Sequence, residues 1–322
     1  MGDVQITVAT GIYDRTIPLM KEVKVEGIDL IVLGLGVDDI FWRMLRHGEF
    51  DVAEMSLAAY CILRSRGNET FIGIPVFPSR MFRHSSIYIA NTGKIKRPED
   101  LSGTRIGVPE FQMTAAVWVR GLLSDDFGVP LDSIQWVTGG VDSPGREERI
   151  PLSSGVKVLN YKDRALGDLL IEGEIDALIC PEMPKAFTLG KIIRLFPDYK
   201  VREKEWFERK KILPIMHLVV IKSELCLKFP WIPAGLYMAF RKALDIAFEK
   251  MYDTGALRYS LTWLADYVEE ERTLFGYGGK GAWSYGLDKN RSALTLFLQY
   301  LKEQGLLANP ISIEQLFWKS TY

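Results

Sequence analysis

Short apolar runs of strand length alternate with segments of helical period from the first residues onward. This rhythm confines the chain to an α/β architecture built on parallel sheets. Val4–Ala9 and Ile28–Gly34 read as strands, and between them Gly11–Thr16 reads as a turn into a helix that opens with Pro18. Asp39–His47 reads as a helix, with Ile40, Phe41, Met44 and Leu45 on one face and Gly48 at the stop. Phe50–Ala53 is a short buried strand, followed by a helix over Ser56–Arg64. Phe71–Phe77 and Ile87–Ala90 are two more strands, with Ser79–Ser85 as the loop between them.

The pattern then repeats. Pro98–Gly103 is a turn-rich entry, Thr104–Val108 a strand and Thr114–Leu123 an apolar helix with Thr114 as its cap. Ile134–Thr138 and Val156–Leu159 are strands, and Arg164–Glu172 is a helix with Asp163 as N-cap and Gly173 as its end. His47–Glu54 echoes Glu172–Ile179: in each, a helix end is followed by a glycine stop and a short buried strand. Either any α/β chain reuses that chemistry, or the chain builds two similar lobes. The two-lobed reading gives residues 1–91 and 206–322 to a discontinuous first lobe and 92–205 to a second. The chain then crosses twice, and a ligand binds between the lobes, outside the carboxyl ends of the strands. The late helices Ala234–Met251 and Ser292–Gln304 have no strands after them, so they are expected to pack back on the first lobe.

Composition removes several functional classes. A formal net charge of −1 provides no electrostatic footprint for nucleic acid or an anionic membrane. No segment reaches the roughly 18 apolar residues of a membrane span. Cys61, Cys180 and Cys226 are too scattered for a disulfide framework or a metal-ligand motif, so no metal is expected. No phosphate-binding loop, dinucleotide fingerprint, nucleophile elbow or zinc pattern is present, so no nucleotide, nicotinamide or zinc cofactor is expected. With no leader-like start, the expected location is the cytoplasm. The terminal aromatics Phe317, Trp318 and Tyr322 are candidates to pack on the first lobe or on another copy in a homo-oligomer.

The residues with chemical potential cluster at strand ends. Arg80, Arg83 and His84, the last one of three histidines, sit in seven residues between apolar runs. Arginine binds planar carboxylates bidentately and histidine moves protons near neutral pH, so the segment suits a small anionic organic acid. The other reading is a surface loop paired with nearby acids. Arg15 follows the first strand, either as a ligand contact or as a solvated side chain. Glu54 follows an apolar strand as an acid of raised pKa or as half of an ion pair, and Ser56 caps the next helix, whose N-terminus can also hold a substrate carboxylate. Where the second lobe's first strand meets its helix, Glu110, Phe111 and Gln112 are expected to face the cleft and the helix that Thr114 caps to offer an anion subsite, with Phe111 either stacking on a ring or packing in the core. His217 lies in an otherwise apolar strand, as a core residue or a site residue. His47 complements a helix end.

Taken together, these segments resemble the 4,5-dihydroxyphthalate decarboxylases. The resemblance runs through Tyr13-Asp-Arg-Thr16, Glu54-Met-Ser56, Gly73-Ile-Pro75, Ser79-Arg80 with Phe82-Arg-His84, and Asp100–Glu110. It continues through Gln112 with Thr114, Gly139-Gly140, Pro144-Gly-Arg146, Pro214-Ile-Met-His217 and Trp283-Ser-Tyr-Gly286. The resemblance implies the fold of type 2 periplasmic binding proteins, with two lobes each a mixed, mostly parallel sheet flanked by helices. It also implies cofactor-independent loss of CO2 from a hydroxylated aromatic acid, giving protocatechuate from 4,5-dihydroxyphthalate.

In that implied reaction, a hydroxyl para to the departing carboxylate pushes electrons into the ring, and protonation of the carboxylate-bearing carbon releases CO2. Arg15 and Arg83 are expected to anchor the retained anion, with Arg80 and Arg146 as second choices. His84 and His217 are the expected acid–base pair, tuned by Glu54. The segment Cys180–Pro184 departs from the family, since relatives are expected to carry Arg at the position of Glu182. An acid there favours a substrate with fewer carboxylates. The rival readings are a binding protein for a small aromatic carboxylate and another cytoplasmic enzyme on the same fold.

Overall fold

The structure is a computed structural model that describes residues 3–91, 93–276 and 283–321. It contains strands β1 (Val4–Thr10), β2 (Ile28–Gly34), β3 (Val52–Ser56), β4 (Phe71–Arg80), β5 (Ile87–Ala90), β6 (Arg105–Val108), β7 (Gln135–Gly139), β8 (Leu159–Tyr161), β9 (Ala177–Ile179), β10 (Ile192–Arg194) and β11 (Ile215–Lys222). The chain forms two compact units. One comprises Met1–Arg80, Ile215–Thr295 and Ile311–Tyr322, and the other Met81–Pro214 and Leu296–Pro310.

The first unit carries a five-stranded sheet in the order β2-β1-β3-β11-β4. β1 runs parallel to β2 and β3, and β11 is inserted antiparallel between β3 and β4. All five residues of β3 are buried, including Glu54. The short strand expected to end at Ala53 therefore continues through Glu54 to Ser56, because β11 pairs along its whole length. Likewise Ser79 and Arg80 complete β4 and do not belong to the following loop, since Ser79 pairs with His217 and Arg80 with Ile215. The helix Val37–His47 buries Ile40, Phe41 and Met44 and stops at Gly48, whose φ of 54° lies in the left-handed region. Ser56 caps the helix Leu57–Ser65 through its hydroxyl, which accepts from the Ala59 N–H at 3.4 Å.

The second unit carries a six-stranded sheet in the order β10-β5-β9-β6-β7-β8, in which only β5 is reversed. Its core gathers Tyr88, Val137, Leu166, Leu169, Leu170 and Leu178. Because β5 hydrogen-bonds to β9 and β10, the chain leaves the first unit at 80/81, before the expected 91/92. It returns at 214/215, after the expected 205/206, because the helix Tyr199–Lys210 places Trp206 against His84. These are the two main crossings. Two further passages, at 295/296 and 310/311, come from the C-terminal helix.

That helix, Arg291–Glu303, was expected on the first lobe, but from Leu296 onward it belongs to the second unit. Phe297 lies 5.1 Å from the Trp118 ring, and the Tyr300 hydroxyl donates to Asp125 at 2.9 Å. Gly121 permits this packing: a Cβ there would lie 2.2 Å from Tyr300 Cδ2. Two expected caps are corrected. Met113, with extended backbone, caps Thr114–Phe127, and Ala165 caps Leu166–Ile171, since Thr114 already has its place in the first helical turn. At the C-terminus, Phe317 is buried edge-on to Phe77, and the Trp318 N–H donates to the Gly73 carbonyl at 2.9 Å. Tyr322 lies outside the described residues.

Candidate active site

Glu54 is the organising group of the first unit. Its side chain is fully buried on β3, and both carboxylate oxygens are occupied. Oε2 accepts from the Gly11 N–H at 2.9 Å and the Thr10 hydroxyl at 3.2 Å. Oε1 accepts from the Tyr13 hydroxyl at 3.0 Å and lies 2.6 Å from His217 Nδ1. Burial pushes the carboxyl up, but the hydrogen bond and charge of His217, with the Gly11 N–H and the Tyr13 hydroxyl, outweigh it and hold Glu54 below the usual range. The raised pKa expected of an acid at this position is thus reversed by its partners.

Local sequence builds the other side of this contact. The Thr16 hydroxyl donates to the Gly11 carbonyl at 2.6 Å and accepts from the Tyr13 N–H at 3.0 Å, closing the turn after β1. Gly11 is needed because a Cβ would fall 2.4 Å from the Tyr13 ring, which folds back toward Glu54. Burial raises the Tyr13 phenol, reinforced by the Glu54 charge, so it stays protonated as a donor.

His217 sits on β11 opposite Ser56 on one side and Ser79 on the other, with register shifts flanking it on the β4 side. Its ring meets Phe41 edge-on at 4.9 Å. With Nδ1 engaged by Glu54, Nε2 is the nitrogen left for a reacting group. A carboxylate on one ring nitrogen fixes the tautomer and stabilises the imidazolium.

Arg15 and Arg80 lie in the same unit but differ in employment. Arg15 donates from Nε to the Pro78 carbonyl at 2.5 Å and from Nη1 to Asp14 at 3.0 Å. Its guanidinium stacks 4.1 Å from the Tyr13 ring and 4.4 Å from the Trp283 ring. Arg80 is buried, and its Nη2 donates to Asn290 Oδ1 at 2.5 Å and the Ser284 carbonyl at 3.0 Å. Burial lowers its pKa to about 9. Arg80 therefore ties the segment Trp283–Asn290 to the end of β4.

The remaining candidates belong to the second unit. His84 is buried, with its ring 5.7 Å from Phe196 and its Nδ1 3.8 Å from Glu203 Oε1. Burial brings its pKa down to about 4, so it is neutral at physiological pH. Burial also lowers Arg83 to about 10 and raises Glu203 to about 7.

Glu110 Oε1 accepts from Arg146 Nε and Nη2 at 2.9 and 2.7 Å and lies 3.2 Å from Arg149 Nη2, so Glu110 and Arg146 answer each other's charge. Phe111 packs in the core, with the Arg120 guanidinium 3.9 Å from its ring and Trp136 at 5.8 Å. Gln112 donates to the Ile150 and Pro151 carbonyls at 3.1 Å each, and Thr114 is buried in the first helical turn. Glu182 is exposed.

Fold and sequence thus bring Arg15, Glu54, Ser56, Arg80 and His217 into one unit. Arg83, His84, Glu110, Phe111, Gln112, Thr114, Arg146 and Glu182 lie in the other. Sequence reasoning gave no role to Tyr13, Trp283, Tyr285 or Asn290. The first three lie in segments that carry the family resemblance, which was the available signal.

Comparison with known proteins places these residues in context. No family model matches the chain. The chain is 38% identical over 323 residues to a 4,5-dihydroxyphthalate decarboxylase of Comamonas testosteroni, covering 98% of this chain and 97% of that protein. A Pseudomonas putida protein of the same name is 40% identical over 213 residues, 64% of this chain and 83% of its own length. Among solved structures, the periplasmic aliphatic sulphonate binding protein of Escherichia coli superposes with a TM-score of 0.50 at 13% identity, covering 98% and 92% of the two chains. A Candida albicans protein described as having the generic periplasmic binding protein fold gives a TM-score of 0.50 at 13% identity, covering 98% and 94%. The fold is therefore that of the periplasmic binding proteins. No helix among the described residues is long and apolar enough to cross a membrane.

Proposed function

This chain belongs to the 4,5-dihydroxyphthalate decarboxylase family, and on that premise we propose that it converts 4,5-dihydroxyphthalate to protocatechuate and CO2. The observation that carries the reading at the level of chemistry is the 2.6 Å contact between Glu54 and His217. Loss of CO2 from an aromatic acid requires one proton to be delivered to the ring carbon that loses it. An imidazolium held by a buried carboxylate is suited to deliver that proton.

In the proposed step, the hydroxyl para to the departing carboxylate donates electron density into the ring. The C–H bond forms as the proton moves from His217 Nε2 to the carboxylate-bearing carbon. The C–C bond then breaks, CO2 leaves, and its electron pair restores aromaticity. His217 is left neutral and regains a proton from solvent. Glu54 remains ionised throughout and stabilises the imidazolium, supported in this role by the Gly11 N–H and the Tyr13 hydroxyl.

Arg15 is the anchor for the retained carboxylate in this reading, because its stacked guanidinium stays only partly engaged with protein groups. Arg80 has the positioning role of holding the Trp283–Asn290 segment. His84, buried among aromatic rings and neutral, is assigned no proton-transfer step. The cytoplasm is the proposed location, supported by three buried free cysteines, which suit a reducing compartment.

The test is direct. Purified protein mixed with 4,5-dihydroxyphthalate in deuterated water should release CO2 and yield protocatechuate with deuterium at the vacated carbon. Thermal stabilisation by the acid without CO2 would replace the decarboxylase reading with that of a binding protein.

A further inference from the structure

The segment that Arg80 secures contains a side chain with no role so far. Tyr285 is 6% exposed, and its hydroxyl has no hydrogen-bond partner among the described residues. Its surroundings are tied on both sides. The Gly286 N–H donates to the Pro75 carbonyl at 2.8 Å. Asn290 Nδ2 donates to the Ser284 and Gly286 carbonyls at 2.8 and 2.7 Å, and Arg80 closes the arrangement onto β4. The next residue but one before Tyr285 is Trp283, whose ring stacks on Arg15.

A rigidly held, buried hydroxyl without a partner is rare in native proteins, because leaving it unsatisfied is costly. Burial raises the phenol's pKa against the opposing charges of Arg15 and Arg80, and Glu54 and Asp14 add to the rise. The group is therefore a neutral donor on the short segment whose Trp283 stacks on Arg15 and whose Ser284 and Asn290 accept from Arg80.

We propose that Tyr285 is a specificity-determining residue whose hydroxyl donates to the retained carboxylate of the substrate, beside Arg15. The identity of that carboxylate rests on the decarboxylase reading; the unpartnered hydroxyl does not. The pairing gives the hydroxyl a use at a position where a phenylalanine would pack as well: the ligand completes its hydrogen bonding. It also makes the site a reader of carboxylate, with the ring hydroxyls recognised elsewhere.

Tyr285→Phe removes only this hydroxyl, so it separates ligand recognition from packing. Its ligand-free Tm should equal or exceed that of the parent protein. In calorimetric titrations, which need no turnover, its Kd for phthalate, a dicarboxylate without hydroxyls, should rise about 10- to 100-fold. Its Kd for catechol, which has hydroxyls and no carboxylate, should not change. Unchanged phthalate binding, an equal loss for catechol, or a Tm lowered by several degrees would each overturn the proposal. Failure of the parent protein to release CO2 would sink the decarboxylase reading alone, since the phthalate and catechol titrations still decide the role of Tyr285.

Discussion

Glu54 Oε1 and His217 Nδ1 lie 2.6 Å apart between adjacent antiparallel strands, and the carboxylate that orients the histidine has no exposure to solvent. Every other lone pair the structure shows in use on that carboxylate accepts from a group at the end of β1 or on the turn after it, so the dyad depends on three strands at once.

His217→Gln and Glu54→Gln should each lower kcat by about 10²–10⁴, the usual worth of general acid–base help. KM should move little, because neither group is assigned to hold the substrate. Steady-state CO2 release checks this, and full activity in both variants would remove the dyad from the mechanism. Glu54→Gln should also lower stability, since it breaks a buried charge-assisted contact.

Arg15→Lys and Arg80→Lys should differ in kind. Lysine cannot stack on Tyr13 and Trp283 or fork toward a carboxylate as arginine does, so the Arg15 variant should raise KM roughly tenfold beside the stability it loses with the stacking and the Pro78 contact. The Arg80 variant should lose about 1–3 kcal/mol of stability by weakening the tie to Ser284 and Asn290. Denaturant titration beside Michaelis kinetics separates the two. A large KM effect at Arg80 without destabilisation would make it the anchor.

His84 and Glu203 should impose opposite pH dependences on stability. The His84 pKa falls from its ordinary 6.5 to about 4 in the fold, so its contribution is complete above 6.5 and is lost as pH drops toward 4. The Glu203 pKa rises from 4.5 to about 7, so its contribution is complete below 4.5 and is lost as pH climbs through 7. Each is worth up to about 3 kcal/mol, and in the parent protein they offset one another between pH 4.5 and 6.5. Relative to the parent, Glu203→Gln should steepen the gain of stability with rising pH over that window, and His84→Phe should steepen the loss. Urea titrations at half-unit pH steps read both slopes, and parallel curves for all three proteins would refute the pairing.

Gly121→Ala should cost about 1–3 kcal/mol through overpacking against Tyr300. The same substitution in a Tyr300→Leu background should cost clearly less, because the obstructing ring is gone. Equal costs in the two backgrounds, measured by chemical denaturation, would show that the helix Arg291–Glu303 does not rely on this contact.

The sequence by itself determined what neighbouring residues decide. Strand and helix alternation fixed the α/β class, Gly48 ended its helix in the left-handed region, and Ser56 capped the next. Those outcomes follow from backbone sterics and hydrogen bonds a few residues apart, so local periodicity reveals them. Position in the strand pattern brought Arg15, Glu54 and His217 forward as candidates, and the resemblance supplied the family and their expected roles. Tertiary structure alone decided which of them meet. Glu54 and His217 are 163 residues apart and come together only because β11 enters the sheet antiparallel between β3 and β4. That same insertion drew Ser79 and Arg80 into a strand, and β5 took His84 with the second unit. Burial then set the charges, holding His84 neutral while hydrogen bonds kept Glu54 ionised. Desolvation and long-range pairing depend on the whole fold, which is why no local pattern could distinguish the histidine in the dyad from the one among aromatic rings.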